Sequence, residues 1–455
     1  MSVLEAPQAP TAEAEALFRE ARLRTQRRRR RRAAAAGLAL ALVTVAYAAL
    51  SAGDATPARS ASSGPIVNHS AFAGHGRFAF VSLGRLYVLD GAALTAVSRP
   101  GQSASNPQFS PDGRFLSYES GSGAEYLARA DGTGARPVGA GAGPQTWLPD
   151  GDLIAGRSIW RVNAGGTLAR IGALPHGLVA WSPDGGRFVF FDGTDVKRSG
   201  GRIDSTRTLD VAASLDGPRT TWYTTHVVFT PKNGVQGNLL DGALVLPADR
   251  GILFRLDPGG SSSISEDGLA VYLLRAPDTK PVALASTVGF TVTLGARGRF
   301  ALTNGLDRYA TLTKNVEVCS VVAGGCTSVP AGRGQISFDP AFSPDGATLA
   351  YVQAPPTSQS DFSQRHVVAW YATHTLWTLA AGGVPREIPG ATGASTPTWS
   401  ADGRTILYTA HDALWIVPAN GRGVPMRVAG PLFHPVWWPA SWFQVDWQGQ
   451  FAWSS

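Results

Sequence analysis

The sequence predicts an all-β fold in which one small antiparallel unit is repeated along the chain. The first observation is a recurring phrase, an aromatic residue followed by Ser-Pro-Asp-Gly or a variant and then by alternating apolar residues. The second is a strand, a glycine-rich turn and a strand that follow most copies, as in residues 375–389. Alternation with period two is typical of strands, so the two phrases predict four strands per repeat. The aromatic residues are Phe109, Trp147, Trp181, Phe342 and Trp399.

The Ser-Pro-Asp-Gly phrase predicts a tight turn between the first two strands of each repeat. Proline presets φ for a type I turn, the aspartate side chain bonds nearby backbone, and glycine accepts a positive φ. Because the phrase recurs in every clear repeat, whereas a catalytic site is needed only once, we expect a structural role for its aspartates. The predicted turn residues are Pro111, Asp112, Gly113, Pro183, Asp184, Gly185, Pro344, Asp345, Gly346, Asp402 and Gly403.

The length of the repeat indicates a β-propeller. Four strands over about 40–45 residues are typical of a propeller blade, which buries its faces against its neighbours. The wide gap between Trp181 and Phe342 is expected to hold degenerate copies, for which residues 263–275 and 293–303 are candidates. We therefore predict an all-β propeller of four-stranded blades over residues 72–455, with about seven blades, within a range of roughly six to eight.

The repeated phrase resembles the WD-like repeat of TolB-type propeller proteins. The resemblance covers roughly residues 72–455 and implies the propeller fold. Propellers with this repeat serve as binding platforms, peptidase accessory domains and sensors, so the resemblance does not select a function. Residues 200–290 match the repeat poorly, and residues 355–374 lengthen one connection. Such a long connection is typical of a recognition loop, and a passive hairpin is the alternative.

An uncharged stretch of 18 residues, 33–50, predicts a single transmembrane helix. At 1.5 Å per residue it spans about 27 Å, close to the ~30 Å core of a bilayer. Residues 1–32 contain nine Arg against four Glu, which predicts a cytoplasmic tail. Residues 51–71 are read as a flexible linker, and the propeller is then extracytoplasmic at the cell membrane. The alternative is a cleaved signal peptide and a secreted protein.

The charge distribution argues against nucleic acid as a partner. The formal net charge is +7, and the arginine-rich tail supplies most of it. The propeller region is therefore close to neutral, and the basic balance of the whole chain indicates no nucleic-acid surface.

The two cysteines of the chain, Cys319 and Cys326, are predicted to form a disulfide. Gly324 and Gly325 supply a turn that would bring them together across a hairpin. The pair lacks the Cys-x-x-Cys spacing of redox sites, so we expect a structural bridge.

The C-terminal segment is rich in tryptophan, with five between residues 433 and 453. Trp447 and Trp453 are predicted to lie in a strand that closes the ring against the strand beginning near Gly76. Trp437, Trp438 and Trp442 are candidate binding residues, since tryptophan offers a large contact area at low entropic cost. Packing within the closure is the alternative for these three.

Signals of catalysis are missing from the sequence. It contains no Gly-x-Ser-x-Gly elbow and no His-Glu-x-x-His motif, so we expect no catalytic residues, metal or cofactor. The predicted function is a membrane-anchored, non-catalytic binding platform for a protein or cell-envelope ligand. One alternative is a transmembrane sensor that signals through the N-terminal tail. Another is a lyase or glycosidase with its site at the propeller centre.

Overall fold

The computed structural model describes residues 64–140, 145–247, 250–259, 268–277, 280–305, 313–357, 364–432 and 448–454. In these residues the chain forms antiparallel strands, here numbered β1 to β32 in chain order, and two short α-helices. The strands form six sheets, here called sheets 1 to 6. They belong to one compact unit, Pro65–Ser455.

Sheets 1, 2, 3 and 5 each contain four antiparallel strands. Sheet 1 contains β2 Arg77–Ser82, β3 Arg85–Asp90, β4 Ala93–Ala96 and β32 Phe451–Ser454. Sheet 2 contains β5 Ala104–Phe109, β6 Phe115–Ser120, β7 Ala124–Arg129 and β8 Arg136–Ala140. Sheet 3 contains β9 Gln145–Trp147, β10 Leu153–Ala155, β11 Ser158–Val162 and β12 Leu168–Ala173. Sheet 5 contains β24 Ile336–Phe342, β25 Thr348–Ala354, β26 Thr375–Ala380 and β27 Arg386–Thr392.

Sheets 4 and 6 are larger. Sheet 6 contains β28 Ser395–Trp399, β29 Thr405–Ala410, β30 Ala413–Pro418, β31 Met426–Gly430 and β1 Ile66–Val67. Sheet 4 has 11 strands: β13 Leu178–Trp181, β14 Phe188–Lys197, β15 Ile203–Ala212, β16 Thr220–Thr230, β17 Gly234–Val245, β18 Ile252–Pro258, β19 Leu269–Leu274, β20 Val282–Leu294, β21 Arg299–Asn304, β22 Val316–Ser320 and β23 Gly325–Ser328. The helices are α1 His69–Phe72 and α2 Gln364–Tyr371.

Hydrophobic clusters between consecutive sheets close the fold into a ring. Phe78 and Phe80 of sheet 1 pack against Leu407 and Ile416 of sheet 6. Corresponding clusters join sheet 1 to 2, 2 to 3, 3 to 4, 4 to 5 and 5 to 6. Apolar burial on both faces of each sheet is what a propeller blade requires. The prediction of an all-β propeller of four-stranded blades is confirmed, while the blade count stays a prediction because sheet 4 runs through 11 strands without a break.

The two ends of this unit are tied into neighbouring sheets. The C-terminal β32 pairs with β2, with Trp453 opposite Phe78 and Phe451 opposite Phe80. The N-terminal β1 pairs with β31 at the edge of sheet 6. The predicted closing strand is therefore confirmed for Trp453, and Trp447 lies outside the described residues.

The membrane prediction is not supported by the described part of the chain. No helix there is both long and apolar enough to cross a membrane. A span needs about 20 residues, whereas α2 has 8. The predicted single-pass localisation at the cell membrane is therefore wrong for the described residues. The predicted tail, 1–32, and span, 33–50, lie outside them; residues 66–71 of the predicted linker lie in β1, the first turn of α1 and the loop between them.

Candidate functional site on the loop face

The strand order gives the propeller two unlike faces. Successive strands of a blade run in opposite directions. The connection from the first to the second strand and the connection from the third to the fourth strand therefore lie at the same end of each sheet. We call this end the turn face. Connections from second to third strand, and from one sheet to the next, lie at the opposite end, the loop face.

The turn face is built from the predicted tight turns. In the first of them Ser110 Oγ donates to Asp112 Oδ1 at 2.6 Å, and the Phe115 N–H donates to Ser110 Oγ at 2.9 Å. Gly113 has φ +67°, a value that glycine alone adopts at little cost. Pro111 sits between Ser110 and Asp112 in this turn. The serine and aspartate therefore close the turn, as the phrase predicts.

The same arrangement recurs at three further turns, with Ala401 in place of proline in the last. In each of these turns a serine hydroxyl donates to the aspartate of the same turn, which is Asp184, Asp345 or Asp402. This hydrogen bond, aided by a backbone N–H two residues on, lowers the pKa of each carboxyl. The other predicted residues lie within these turns: Pro183, Gly185, Pro344, Gly346 and Gly403.

Removing the turn aspartates is expected to destabilise the fold. Asp112→Ala should lower the free energy of unfolding by about 0.5–1.5 kcal/mol, as for a lost local hydrogen bond. Asp184→Ala and Asp345→Ala should lower the melting temperature in the same way, and Gly113→Val should lower it further because φ is positive. Asp216→Ala, at an exposed loop aspartate, is the control and should leave melting unchanged. Unchanged melting in the turn variants would contradict the structural role.

The loop face carries a sheet that extends beyond the blades. Strands β14 to β17 have 10, 10, 11 and 12 residues, whereas β6 has 6. At ~3.3 Å per residue the longer strands reach about 13 Å further. In β14 the exposure rises from buried Phe188–Phe190 to exposed Thr194–Lys197. We call residues 192–208 and 224–238 the projecting sheet.

The projecting sheet combines apolar, hydroxyl and charged groups. Val196 is 45% exposed, and Thr194 beside it is also exposed. At the tip, Arg198 and Arg202 both form ion pairs with Asp204, at 3.1 and 2.7 Å. The surface is therefore mixed in character and suits contact with another polypeptide.

One edge of the projecting sheet is open. β13 pairs with β14 only over Phe188–Phe190, while β15 covers the other side of β14 along its whole length. Among the described strands, none pairs with the outer edge of residues 192–197. Such an edge presents backbone N–H and C=O groups to an incoming strand.

The inserted segment 355–374 also belongs to the loop face, but in its described part Trp370 is packed inward. Trp370 of α2 is buried, stacks on Phe338 at 5.7 Å and donates from Nε1 to the Pro355 carbonyl at 2.8 Å. His374 is fully buried beside Trp370, with ring centroids 4.4 Å apart. The buried part of this segment therefore packs onto sheet 5, and its residues 364–371 form a helix where the passive alternative expected a hairpin.

Three residues of the first strands were missed by the sequence interpretation. Asn106, Asp339 and Thr396 each precede a proline and have φ of 52°, 50° and 51° at a β-bulge. Positive φ is uncommon outside glycine, and for a β-branched residue such as Thr396 it is an outlier. The signal in the sequence was a residue that precedes a proline and stands three positions before the aromatic residue of the repeated phrase.

These bulges lie where neighbouring first strands contact each other, nearest the propeller axis. Trp147 Nε1 donates to the Gln108 carbonyl at 3.2 Å, and Trp399 Nε1 donates to the Ala341 carbonyl at 3.0 Å. Asp339 accepts the Thr396 N–H at 3.2 Å. Burial raises the pKa of Asp339 to about 6, against the effect of this hydrogen bond.

The structure joins Cys319 and Cys326 in a disulfide between β22 and β23. Glu317 has a carboxylate oxygen within 4.8 Å of both sulfurs. Because the sulfurs are bonded to each other, neither is available as a thiolate ligand for a metal. The predicted binding residues Trp437, Trp438 and Trp442 lie outside the described residues.

A shallow groove of about 340 Å³ lies on the turn face, lined by Arg250, Arg275, Val321 and Val322. Arg275 Nη2 donates to the Val321 carbonyl, and Arg250 Nη1 donates to the Arg297 carbonyl at 3.2 Å. Each guanidinium group thus forms a hydrogen bond to the backbone of a neighbouring connection between strands, and these bonds account for the position of both arginines.

Comparison with known proteins gives similarity in fold. No family model and no curated protein matches the chain. Similar solved structures include TolB from Acinetobacter baumannii, at 15% identity over 78% of this chain and 64% of that chain, with a TM-score of 0.34. The C-terminal WD40 domain of Sif2 has 12% identity over 78% and 92%, with a TM-score of 0.41. An oligogalacturonate lyase in complex with manganese has 13% identity over 78% and 85%, with a TM-score of 0.37.

Two of these, TolB and the WD40 domain, are of the kinds that the repeated phrase resembles. The ring of antiparallel sheets confirms the predicted TolB-like and WD40-like propeller fold. At such identities the likeness extends to the fold alone, because unrelated functions share this architecture.

Proposed function

We propose that the protein is a non-catalytic binding platform whose loop face binds a protein ligand. The observation that carries this proposal is the unequal construction of the two faces. The turn face carries the repeated tight turns, whereas the loop face carries four strands longer than the blades need. Rigid scaffolds commonly place recognition on such additions.

The open edge of β14 favours an extended segment of the ligand as the bound element. A strand added there would obtain main-chain hydrogen bonds along residues 192–197, and side chains such as Val196 would supply selectivity. The adjacent hydroxyl groups of Thr194 and Thr206 offer further donors and acceptors.

The test uses a phage-displayed peptide library selected on the full-length chain. Selected peptides should bind about tenfold or more weakly to Val196→Asp, because the charge disfavours pairing at this edge. Val384→Asp is the matched control, since Val384 is 70% exposed in the connection between β26 and β27 on the turn face. Peptides that bind Val196→Asp as well as the parent chain, or that lose binding with Val384→Asp, would contradict the proposal.

A further inference from the structure

The groove on the turn face of sheet 4 is lined by two arginines that lack an acidic partner among the described residues. Arg250 lies two residues before β18, and Arg275 directly follows β19. The β18–β19 ladder pairs Ile252 with Leu274, which brings both arginines to the same end of the sheet. Within the described part of the chain, neither arginine takes part in a salt bridge.

Hydrogen bonds hold both guanidinium groups against one pair of backbone connections. Arg250 Nη1 donates to the Arg297 carbonyl at 3.2 Å, and Arg275 Nη2 donates to the Val321 carbonyl. The two connections are themselves joined, because the Val321 N–H donates to the Gly298 carbonyl at 2.9 Å. This chain of hydrogen bonds links the two guanidinium groups, and both line the same groove of about 340 Å³.

The arginine side chains are ordered in this position. Arg250 lies so close over Gly298 that a Cβ on this glycine would be 2.7 Å from Arg250 Cδ and 3.0 Å from Nη1. A guanidinium group has five N–H donors, so one hydrogen bond leaves further donors on each arginine. Because ordered side chains lose less entropy on binding, the groove is prepared for an anion.

The remainder of the groove lining is apolar. Val322 is 72% exposed in the connection between β22 and β23, next to the buried Val321. The disulfide between Cys319 and Cys326 joins the two strands that flank this connection. An exposed valine beside two guanidinium groups suits a ligand whose negative charge and apolar group lie close together.

We propose that this groove binds the C-terminal residue of a polypeptide, with its carboxylate on Arg250 and Arg275 and an apolar side chain against Val322. The planar fork of a guanidinium group matches a carboxylate and binds it through two parallel hydrogen bonds. Capture of a terminal carboxylate is a recurring mode of peptide recognition. A terminal residue carries its carboxylate and its side chain on one Cα, whereas a phosphate ion has no apolar part.

The shape of the groove favours the end of a long chain over a small molecule. Sites for small molecules enclose roughly 70–90% of the ligand surface, which a shallow groove cannot do. The end of a polypeptide needs only its last residue to be bound. The groove lies on the turn face, opposite the projecting sheet, so this site does not depend on the binding proposed for the loop face.

The test is fluorescence polarisation of a labelled peptide that ends in Gly-Ser-Gly-Leu with a free carboxylate, titrated with the full-length chain. We expect a Kd of about 100 µM or tighter. The same peptide with a C-terminal amide should bind about tenfold or more weakly, because the amide carries no charge. A peptide that ends in Gly-Ser-Gly-Gly should also bind more weakly, since it lacks the apolar side chain. These comparisons change only the peptide and do not depend on the folding of a variant.

Variants of the chain locate the bound peptide. Arg250→Ala and Arg275→Ala should each weaken binding of the free-carboxylate peptide about tenfold or more, as expected for a lost charged hydrogen bond. Arg422→Ala is the matched control, because Arg422 is an exposed arginine in the connection between β30 and β31, on the turn face of sheet 6. This variant should bind the peptide as the parent chain does.

Four outcomes would overturn the site. One is the absence of a polarisation change up to about 1 mM of the chain, the weak end of measurable affinity. Another is equal binding of the carboxylate and amide peptides. The third is undiminished binding in both Arg250→Ala and Arg275→Ala, with circular dichroism showing that each is folded. The last is displacement of the labelled peptide by inorganic phosphate as readily as by the unlabelled peptide, which would indicate an unspecific anion site.

Discussion

Phe451→Ala is expected to lower the free energy of unfolding by about 3–5 kcal/mol, the usual cost of removing a buried phenylalanine ring. Phe451 lies in β32, the strand that brings the C-terminal segment into sheet 1. The residue is 8% exposed, and the centroid of its aromatic ring lies 5.7 Å from that of Phe78. The substitution therefore leaves a cavity in the hydrophobic cluster shared by sheets 1 and 6, the two sheets at which the propeller closes.

Urea denaturation followed by tryptophan fluorescence and circular dichroism measures this effect. Phe229→Ala is the matched control, because Phe229 is 39% exposed in β16 and its ring is expected to cost much less to remove. A loss at Phe451 no greater than that at Phe229 would show that β32 contributes little to closure.

The parts of the fold that local chemistry determines were predictable from the sequence. The Ser-Pro-Asp-Gly turns depend on hydrogen bonds between residues at most five apart, such as that from the Phe115 N–H to Ser110 Oγ. The degenerate copy at residues 293–303 is also a turn between strands, with Arg297 and Gly298 at positive φ. Such turns need no information from distant residues.

The features of the loop face could not be predicted in this way. Residues 200–290 match the repeat poorly because β14 to β17 continue past the blades, and β17 pairs first with β16 and then with β18. The positive φ at Asn106 and Asp339 is imposed by bulges in strands packed about the axis.

His374 resembles any other histidine in the sequence, yet its surroundings are exceptional. It is fully buried, and its ring contacts Phe338, Trp370 and Tyr371. Nδ1 lies 3.1 Å from the Ala394 carbonyl, to which it donates in the neutral ring. Burial lowers the pKa of His374 to about 3, against the effect of this hydrogen bond.

This burial is expected to make the fold lose stability as the pH falls. In the unfolded chain His374 takes up a proton near pH 6.5, whereas the folded chain resists protonation until about pH 3. Between these values the unfolded state binds more protons, so stability is complete above about pH 6.5 and decreases below it. The slope of the unfolding free energy approaches about 1.4 kcal/mol per pH unit, and the whole loss is on the order of 5 kcal/mol.

Other groups in the chain oppose this slope, so the test must compare variants. The pKa values of Glu125 and Asp339 are raised, and their contribution to stability therefore increases as the pH falls toward 4. Urea denaturation between pH 7 and pH 4.5 should show a flatter acid slope in His374→Phe than in the parent chain, whatever its stability at pH 7. His226→Phe, at an exposed histidine of β16, should keep the parent slope. Equal slopes in His374→Phe and the parent would mean that His374 becomes protonated without unfolding, and that its aromatic surroundings admit the charge.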